Sequence, residues 1–370
     1  MRLNQGRIGK QESVSVAAMA IVSCAVFMLD SQKAYTNGNA TYVSLPLSMG
    51  ISLLVFLLIW AAMKRTGSRD LVEMMDCSCG KAVGGLLAVI AATLMLFSSH
   101  RLLERFTSMI HSFVMVSGEF TTIAVWITGV SAFFAIKGME CTGRMAKIFA
   151  AALALLTLFG IVNMTKSLDF TRLSPFPGDL ASAGRDVLSR SVESFPALLG
   201  LLCIAPALQG MDNVKKTGIR AVVIAAVVTA LIQLGIGMVY VYSDLKDMYM
   251  PIYRLKMILT QESYWFRLDK LSLFIWLISC VITAAFYIYA AALVVTRRFS
   301  KHDVRPATVS LCAITVMWLY LANIRYPTMD AAVANFFYDY ACLAAAPFGI
   351  CALIGMIRFR KKGRDQNEKA

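Results

Sequence analysis

About ten apolar stretches, each near the roughly 20 residues that an α-helix needs to cross about 30 Å of hydrocarbon, follow one another along the chain. They lie at 12–30, 41–62, 82–112, 119–136, 146–163, 195–211, 219–241, 268–295, 306–323 and 331–357. Hydrocarbon offers a backbone amide no partner, so each stretch is expected to be helical and the fold class is an all-α integral membrane protein. Composition agrees: 58% of the 370 residues are hydrophobic and 16% are charged, whereas a soluble domain is nearer about a quarter charged. No polar linker divides the sequence, so residues 1–370 read as a single polytopic membrane domain. The third stretch is interrupted by "SSHRLLERF" at 98–106. The preferred reading is one long, tilted helix over 82–112 that carries its charges inside the protein; the other is a shorter span followed by a surface segment.

Basic residues test this count independently. They gather between alternate stretches, at Lys64, Arg65 and Arg69, at Lys137, Arg144 and Lys147, at Lys215 and Lys216, at Arg297 and Arg298, and in a basic tail over 358–370. The positive-inside rule then places both termini in the cytoplasm and the long loops 164–194 and 242–265 outside. A net charge of +14 spread over helix ends suits anionic membrane lipids and calls for no nucleic acid. The basic start "MRLNQGRIG" precedes an apolar run over 14–29 that is longer than a signal-peptide core, so it reads as a retained first span.

The sixth stretch, within "SVESFPALLGLLCIAPALQGMDNVKK" at 191–216, contains Pro206. Proline donates no amide and its ring clashes with the carbonyl four residues earlier, which frees backbone groups. Such groups survive in a membrane where they line a cavity, and secondary transporters use broken helices in this way to hold a substrate at mid-membrane. A proline kink alone would also account for Pro206. Span one, the corresponding member of a first five-span half, is rich in small and polar residues, including Ser23, Cys24 and Ala25. The expected architecture is therefore a five-plus-five inverted-repeat transporter fold with discontinuous spans one and six, repeat one at 12–163 and repeat two at 195–357.

Several passages carry a family resemblance. "YMPIYRLKMILTQESYWFRLDKLSLFIWLISCVITAAFYIYAAAL" at 249–293 places Phe266, Arg267, Leu268 and Asp269 ahead of Trp276, Tyr287 and Tyr289. "GRIGKQESVSV" contributes Gly6, Ile8 and Gln11, "RLLERF" spans 101–106, and "SPFPGDL" spans 174–180. In these features the chain resembles the spore germination permease family, the membrane-embedded B subunit of nutrient germinant receptors, itself similar to amino acid, polyamine and organocation transporters. The resemblance implies the inner membrane of the bacterial spore, an amino acid or similar small nutrient as ligand, and partners that are an A-type membrane subunit and a C-type lipoprotein subunit. One departure is that span one has no glycine between Gly9 and Gly38, where related transporters carry a glycine-rich break.

The ligand is expected between spans one and six, beside three and eight. The backbone at Ser23, Cys24 and Ala25 and at Cys203, Ala205, Pro206 and Ala207 would contact it, with Thr283 or Tyr287 on the facing wall and Ala25 and Ala205 setting its volume. Cys280, Thr283 and Tyr287 form one helical stripe, for which aromatic core packing is the alternative. Gln233 beside Gly235 and Gly237 reads as a packing position. Arg101 and Glu104, three residues apart, can pair on one face of span three, as a charge relay or ligand contact or as a structural staple.

No nucleotide-binding glycine loop and no nucleophile–base pair is found, so neither an enzyme nor an autonomous pump is expected. The nine cysteines lie mostly in apolar runs, and Cys77-x-Cys79 has no second pair at metal-site spacing. No metal and no cofactor are therefore expected. Three roles are ranked in order: a ligand-sensing receptor subunit, a cation- or proton-coupled amino acid permease, and a structural membrane scaffold for receptor partners. Glu12, Asp30 and Asp212 sit near span ends, which leaves spans one and six without an evident proton carrier and favours the receptor. Labelling of single cysteines at positions 179 and 247 in a functional, cysteine-depleted chain is expected to proceed from the outside; cytoplasmic labelling at either would contradict the count or the orientation.

Overall fold

The computed structural model describes residues 8–27, 41–164, 168–173, 180–208, 210–241, 244, 268–299, 303–322 and 327–367. Among them the regular elements are all helices: α1 (Lys10–Phe27), α2 (Thr41–Thr66), α3 (Leu71–Cys79), α4 (Lys81–Phe113), α5 (Phe120–Lys137), α6 (Met139–Met164), α7 (Leu180–Cys203), α8 (Met211–Val239), α9 (Leu268–Arg298), α10 (Arg305–Tyr320) and α11 (Pro327–Asn367). Short 3₁₀ turns occupy Phe170–Leu173 and Ala205–Leu208. By length and composition, seven of these helices are apolar enough to cross a membrane: α1, α2, α4, α5, α6, α8 and α9. Large apolar side chains such as Leu54, Leu86, Trp126, Leu155 and Ile357 are exposed along the outer helix faces. Hydrocarbon would cover them as readily as a protein core would, which is the pattern of a chain solvated by lipid.

The helices divide into an inner set and an outer set. In α1 and α9, 72% of the most apolar window is buried within the protein, against 22% in α6. The middle of α9 is enclosed all round from Cys280 through Val294 except for slight exposure at Val281 and Tyr289, and its small residues Ala284, Ala285, Ala290, Ala291 and Ala292 let neighbouring helices approach closely. Gly200 of α7 does the same from the other side. A Cβ there would fall 2.8 Å from Phe286 Cζ, so only a bare backbone fits. Likewise a Cβ on Gly218 of α8 would fall 2.4 Å from Phe56 Cε1 of α2.

The start of α1 defines the first face of the molecule. There Ile8 N donates to Ala207 O (3.3 Å), Trp60 Nε1 donates to Met211 O (2.7 Å), and Arg298 reaches both Asp76 Oδ1 (3.0 Å) and the Lys81 carbonyl (2.6 Å). The short α3 lies at this face. Asp70 caps it by accepting from Glu73 N (2.9 Å), while Glu73 accepts in turn from Arg69 N (2.8 Å), a reciprocal arrangement that satisfies amides at the helix start. Gly138 (φ 90°) lets α5 reverse into α6 within one residue, a left-handed backbone that favours glycine.

Of the two readings of the third stretch, the continuous one is found: α4 is a single helix of 33 residues, about 50 Å long at about 1.5 Å per residue. Two elements differ from the sequence reading. The sixth span begins at Leu180, so residues 180–194, expected in an outside loop, are helical, and Asp186, Arg190 and Glu193 within them are buried. Pro206, expected to break that span mid-membrane, is exposed in the 3₁₀ turn that follows α7, at the first face. The proline inside α7 is Pro196, which has no amide to give the Val192 carbonyl. Ser23, Cys24 and Ala25 lie within the helical run of α1, whose described residues end at Phe27. Positions 174–179, Gly6, Phe266, Arg267 and the loop 242–265 apart from residue 244 lie outside the described residues.

Candidate functional site

The residues singled out from the sequence fall into three groups at three depths. Cys203, Ala205, Pro206 and Ala207 gather at the first face. There Arg297 Nη1 donates to the Cys203 carbonyl (2.7 Å) and Arg297 Nε lies 3.4 Å from Asp70 Oδ2, so the carbonyl left open where α7 ends is held by a cation from α9. This end of α7 is closed by its own side chains. Ala205, expected to set the volume of a central pocket, is part of that closure and is buried.

Ser23, Cys24, Ala25, Thr283 and Tyr287 form the second group, all buried. Cys24 Sγ and Tyr287 OH are 3.4 Å apart, linking α1 to α9. Counted at about 1.5 Å per residue from the first face, Cys24, Ser52, Glu193 and Tyr287 all lie about 15–21 Å in, roughly halfway through about 30 Å of hydrocarbon. The Ser23 and Thr283 hydroxyls, also fully buried, have no hydrogen-bond partner among the described residues. That is uncommon for helical Ser and Thr, whose hydroxyls usually turn back to a carbonyl of the preceding turn.

Beside this pair stands a set of polar residues that hydropathy did not reveal. Arg190 Nε donates to Asp186 Oδ2 at 2.7 Å, and Arg190 Nη1 lies 3.7 Å from Glu193 Oε1. Ser44 of α2 donates its hydroxyl to Asp186 Oδ2 (3.0 Å). About two turns deeper, Ser52 donates to the Ser191 carbonyl (2.8 Å), and Ser194 donates to Ser52 Oγ (2.8 Å). α7 packs against α1, α2 and α9 alike, which brings the two sets together at the junction of these four helices. The signal was present in the sequence: Asp186, Arg190 and Glu193 are spaced four and three apart, and Ser44, Ser48 and Ser52 four apart, each on one helical face. The expectation that span six offers no carboxylate is therefore corrected, because the span extends further back than its apolar part.

Above the polar region, Phe27 meets Phe106 and Trp276 edge-on, with ring centroids 5.3 and 5.0 Å apart. Below it, the Arg297 contacts close the first face. The region combines a guanidinium, two carboxylates, hydroxyls and a thiol among apolar walls, so groups of both charge signs stand together in it.

Arg101 and Glu104 form the third group, towards the opposite face. Arg101 Nη1 is 3.3 Å from Glu104 Oε2 and 2.9 Å from Asp330 Oδ2 of α11, a partner not foreseen from the sequence. His100 Nε2 lies 3.3 Å from Asp330 Oδ1, and its ring stacks on Trp318 of α10 with centroids 4.3 Å apart. This cluster ties α10 and α11 to α4. Among the described residues no three His, Cys, Asp or Glu side chains are grouped as metal ligands.

Comparison with solved structures places this arrangement among known folds. The chain is similar to a Na+-coupled sialic acid symporter in a substrate-bound, outward-open state, with a TM-score of 0.70 at 11% identity over 95% of this chain and 80% of that one. It is also similar to a nucleobase-cation-symport-1 family transporter in a closed conformation with bromovinylhydantoin bound, with a TM-score of 0.67 at 10% identity over 98% of this chain and 94% of that one. At such identities the likeness is one of fold, and the fold is the five-plus-five inverted-repeat transporter architecture. No curated protein sequence matches the chain. The sequence profile of one family does match, that described as Spore germination protein, over residues 7–326. Most of the chain is thereby accounted for, and it belongs to the spore germination protein family of permeases.

Proposed function

We propose that the chain binds an amino acid or similarly small nutrient where α1, α2, α7 and α9 meet, and changes conformation on binding. The observation that carries this reading is the polar region at mid-depth, in which Cys24, Tyr287 and the Asp186–Arg190–Glu193 group converge between closures at both faces. A zwitterion would find a cation for its carboxylate and carboxylates for its ammonium group, with specificity set by the small volume around Ala25. Passage of the solute coupled to a cation or proton is the activity that the fold favours. The solved neighbours are a Na+-coupled symporter and a cation symporter, and α7 supplies carboxylates suited to coupling. Membership of a germination family supports a second reading, in which the same movement signals within a nutrient germinant receptor. That reading brings an A-type membrane subunit and a C-type lipoprotein as partners, the spore inner membrane as location and both termini in the cytoplasm.

Thermal unfolding of the purified protein against a panel of amino acids tests the binding. A solute at about 100 times its Kd raises stability by about 2.7 kcal/mol. Tyr287→Phe, which removes one hydroxyl, is expected to weaken that solute by about 0.5–1.5 kcal/mol, and Ala25→Leu to change which solute is preferred. In reconstituted vesicles, ion-dependent uptake without any partner selects the permease, and binding without uptake selects the sensor. Absence of both, with pocket substitutions silent, leaves a structural scaffold.

Arg101, Glu104 and Asp330 are proposed to act as a staple between α4 and α11. Arg101→Ala would strand two largely buried carboxylates, at an expected cost of about 3–5 kcal/mol, measured as a lowered unfolding midpoint that Asp330→Asn partly restores. Wild-type stability with a lost solute response would instead assign these residues to ligand binding or relay.

A further inference from the structure

The short helix α3 is held from two sides at the first face. From one side α9 holds it by charge: Arg297 Nε lies 3.4 Å from Asp70 Oδ2, and Arg298 Nη1 lies 3.0 Å from Asp76 Oδ1. On another side α3 packs against α11. The approach there is close. A Cβ on Gly355 of α11 would run into Ser78 Oγ and stand 3.2 Å from Ser78 Cβ, so a bare backbone is what lets α11 seat on α3.

Cys351 lies one turn before Gly355 on the same face of α11, and Cys79 directly follows Ser78 on α3. The two thiols meet across this contact: the Cys351 side chain is within hydrogen-bonding contact of both Cys79 and Ser78. Both cysteines are unbridged. Cys351 is 1% exposed, whereas Cys79 is partly exposed. Apolar packing would account for one buried cysteine. A facing pair has a chemistry that packing does not need, because a sulfur–sulfur bond about 2 Å long can form between side chains already in contact. Exchange starts at the thiol that a reagent can reach, here Cys79, and finishes at the enclosed one, Cys351. Cys77 is exposed as well, but residues two apart point to different sides of a helix, so it stands away from Cys351.

We propose that Cys79 and Cys351 form a reversible disulfide that locks α3 onto α11 and thereby holds the first-face closure under oxidising conditions. The oxidant is a low-molecular-weight disulfide. The Cys79 thiol gives its proton to water, and its sulfur bonds to one sulfur of the small disulfide, displacing the other as a thiolate. The Cys351 thiol loses its proton in the same way and attacks the Cys79 sulfur, and the second small thiolate leaves. Two protein thiols are thus oxidised while one small disulfide is reduced to two thiols. A dithiol reductant runs the exchange backwards. Since α3 carries the partners of Arg297 and Arg298, its attachment to α11 ties α9 and α11 together through one short helix. The inference does not depend on which solute the protein binds.

Treatment of the purified full-length protein with oxidised glutathione, followed by alkylation under denaturing conditions, digestion and mass spectrometry, tests the pairing. A linked Cys79–Cys351 peptide is expected in the wild type, and a dithiol reductant is expected to remove it. A crosslink constrains the unfolded chain, so the unfolding midpoint is expected to rise on oxidation in the wild type and in Cys77→Ser alike, and not in Cys79→Ser or Cys351→Ala. Hydrogen exchange over Leu71–Cys79 is expected to slow several-fold in the oxidised protein. Thiols at 79 and 351 that both stay open to alkylation, a Cys77–Cys79 bond, a link between two copies of the chain, or a glutathione adduct at Cys79 that never resolves would each overturn the pairing. A link that leaves exchange in α3 unchanged would overturn the lock. Should Cys351→Ala fail to fold, the linked peptide of the wild type decides by itself.

Discussion

Polar groups surrounded by hydrocarbon have only each other for partners, and the interior of this protein is organised by that scarcity. Backbone amides are satisfied by winding the chain into helices that cross from face to face. Side chains have no such general remedy. A guanidinium at mid-depth persists because carboxylates from its own helix hold it, as Asp186 and Glu193 hold Arg190 on α7. The serines of α2 then face α7 where hydroxyls are needed, and the remaining outer helix surfaces are free to be apolar. Where α1, α7 and α9 must close on one another around this polar region, they do so through small residues, with Gly200 against Phe286 and the alanines of α9.

The same logic explains why both ends are closed differently. At the first face the chain reverses from α7 into α8, so a helix end with open carbonyls has to be satisfied, and Arg297 supplies the donor. Towards the opposite face α1, α4 and α9 meet through three aromatic rings packed edge-on. A solute bound between these closures would be sealed from both sides. Movement of one closure at a time is the minimum that either transport or signalling requires, and the two readings of function differ only in whether the solute leaves by the second face.

Hydropathy carried most of the fold into view. Long apolar stretches and the alternation of basic residues are averages over about 20 residues, robust to detail. They are also why the start of α7 was missed: "GRDVLSRSVESF" is too polar to score as a span, although its charges at Asp186, Arg190 and Glu193 repeat with helical spacing. Burial there depends on what faces it, the serines of α2, and no local window reads that. Proline was misjudged for a related reason. Pro206 looked central because the apolar run was centred too late, while Pro196 lies inside the helix. Cys24 and Tyr287 come together across 263 positions of sequence, and Arg101 finds Asp330 across 229, so such partners become visible only once the helices are assembled.

If Cys24 lines an enclosed solute site at mid-depth, its thiol is shielded from both faces and responds to what occupies the site. Alkylation of the native cysteines by a small thiol reagent, followed by mass spectrometry of the intact protein in vesicles, tests it most directly. Cys77, exposed at the first face, serves as the internal reference for an open thiol. Cys24 is expected to react many-fold more slowly than Cys77, and an amino acid which stabilises the protein is expected to change the Cys24 rate while leaving Cys77 unaffected. Reaction of Cys24 as fast as Cys77, indifferent to every stabilising solute, would contradict it.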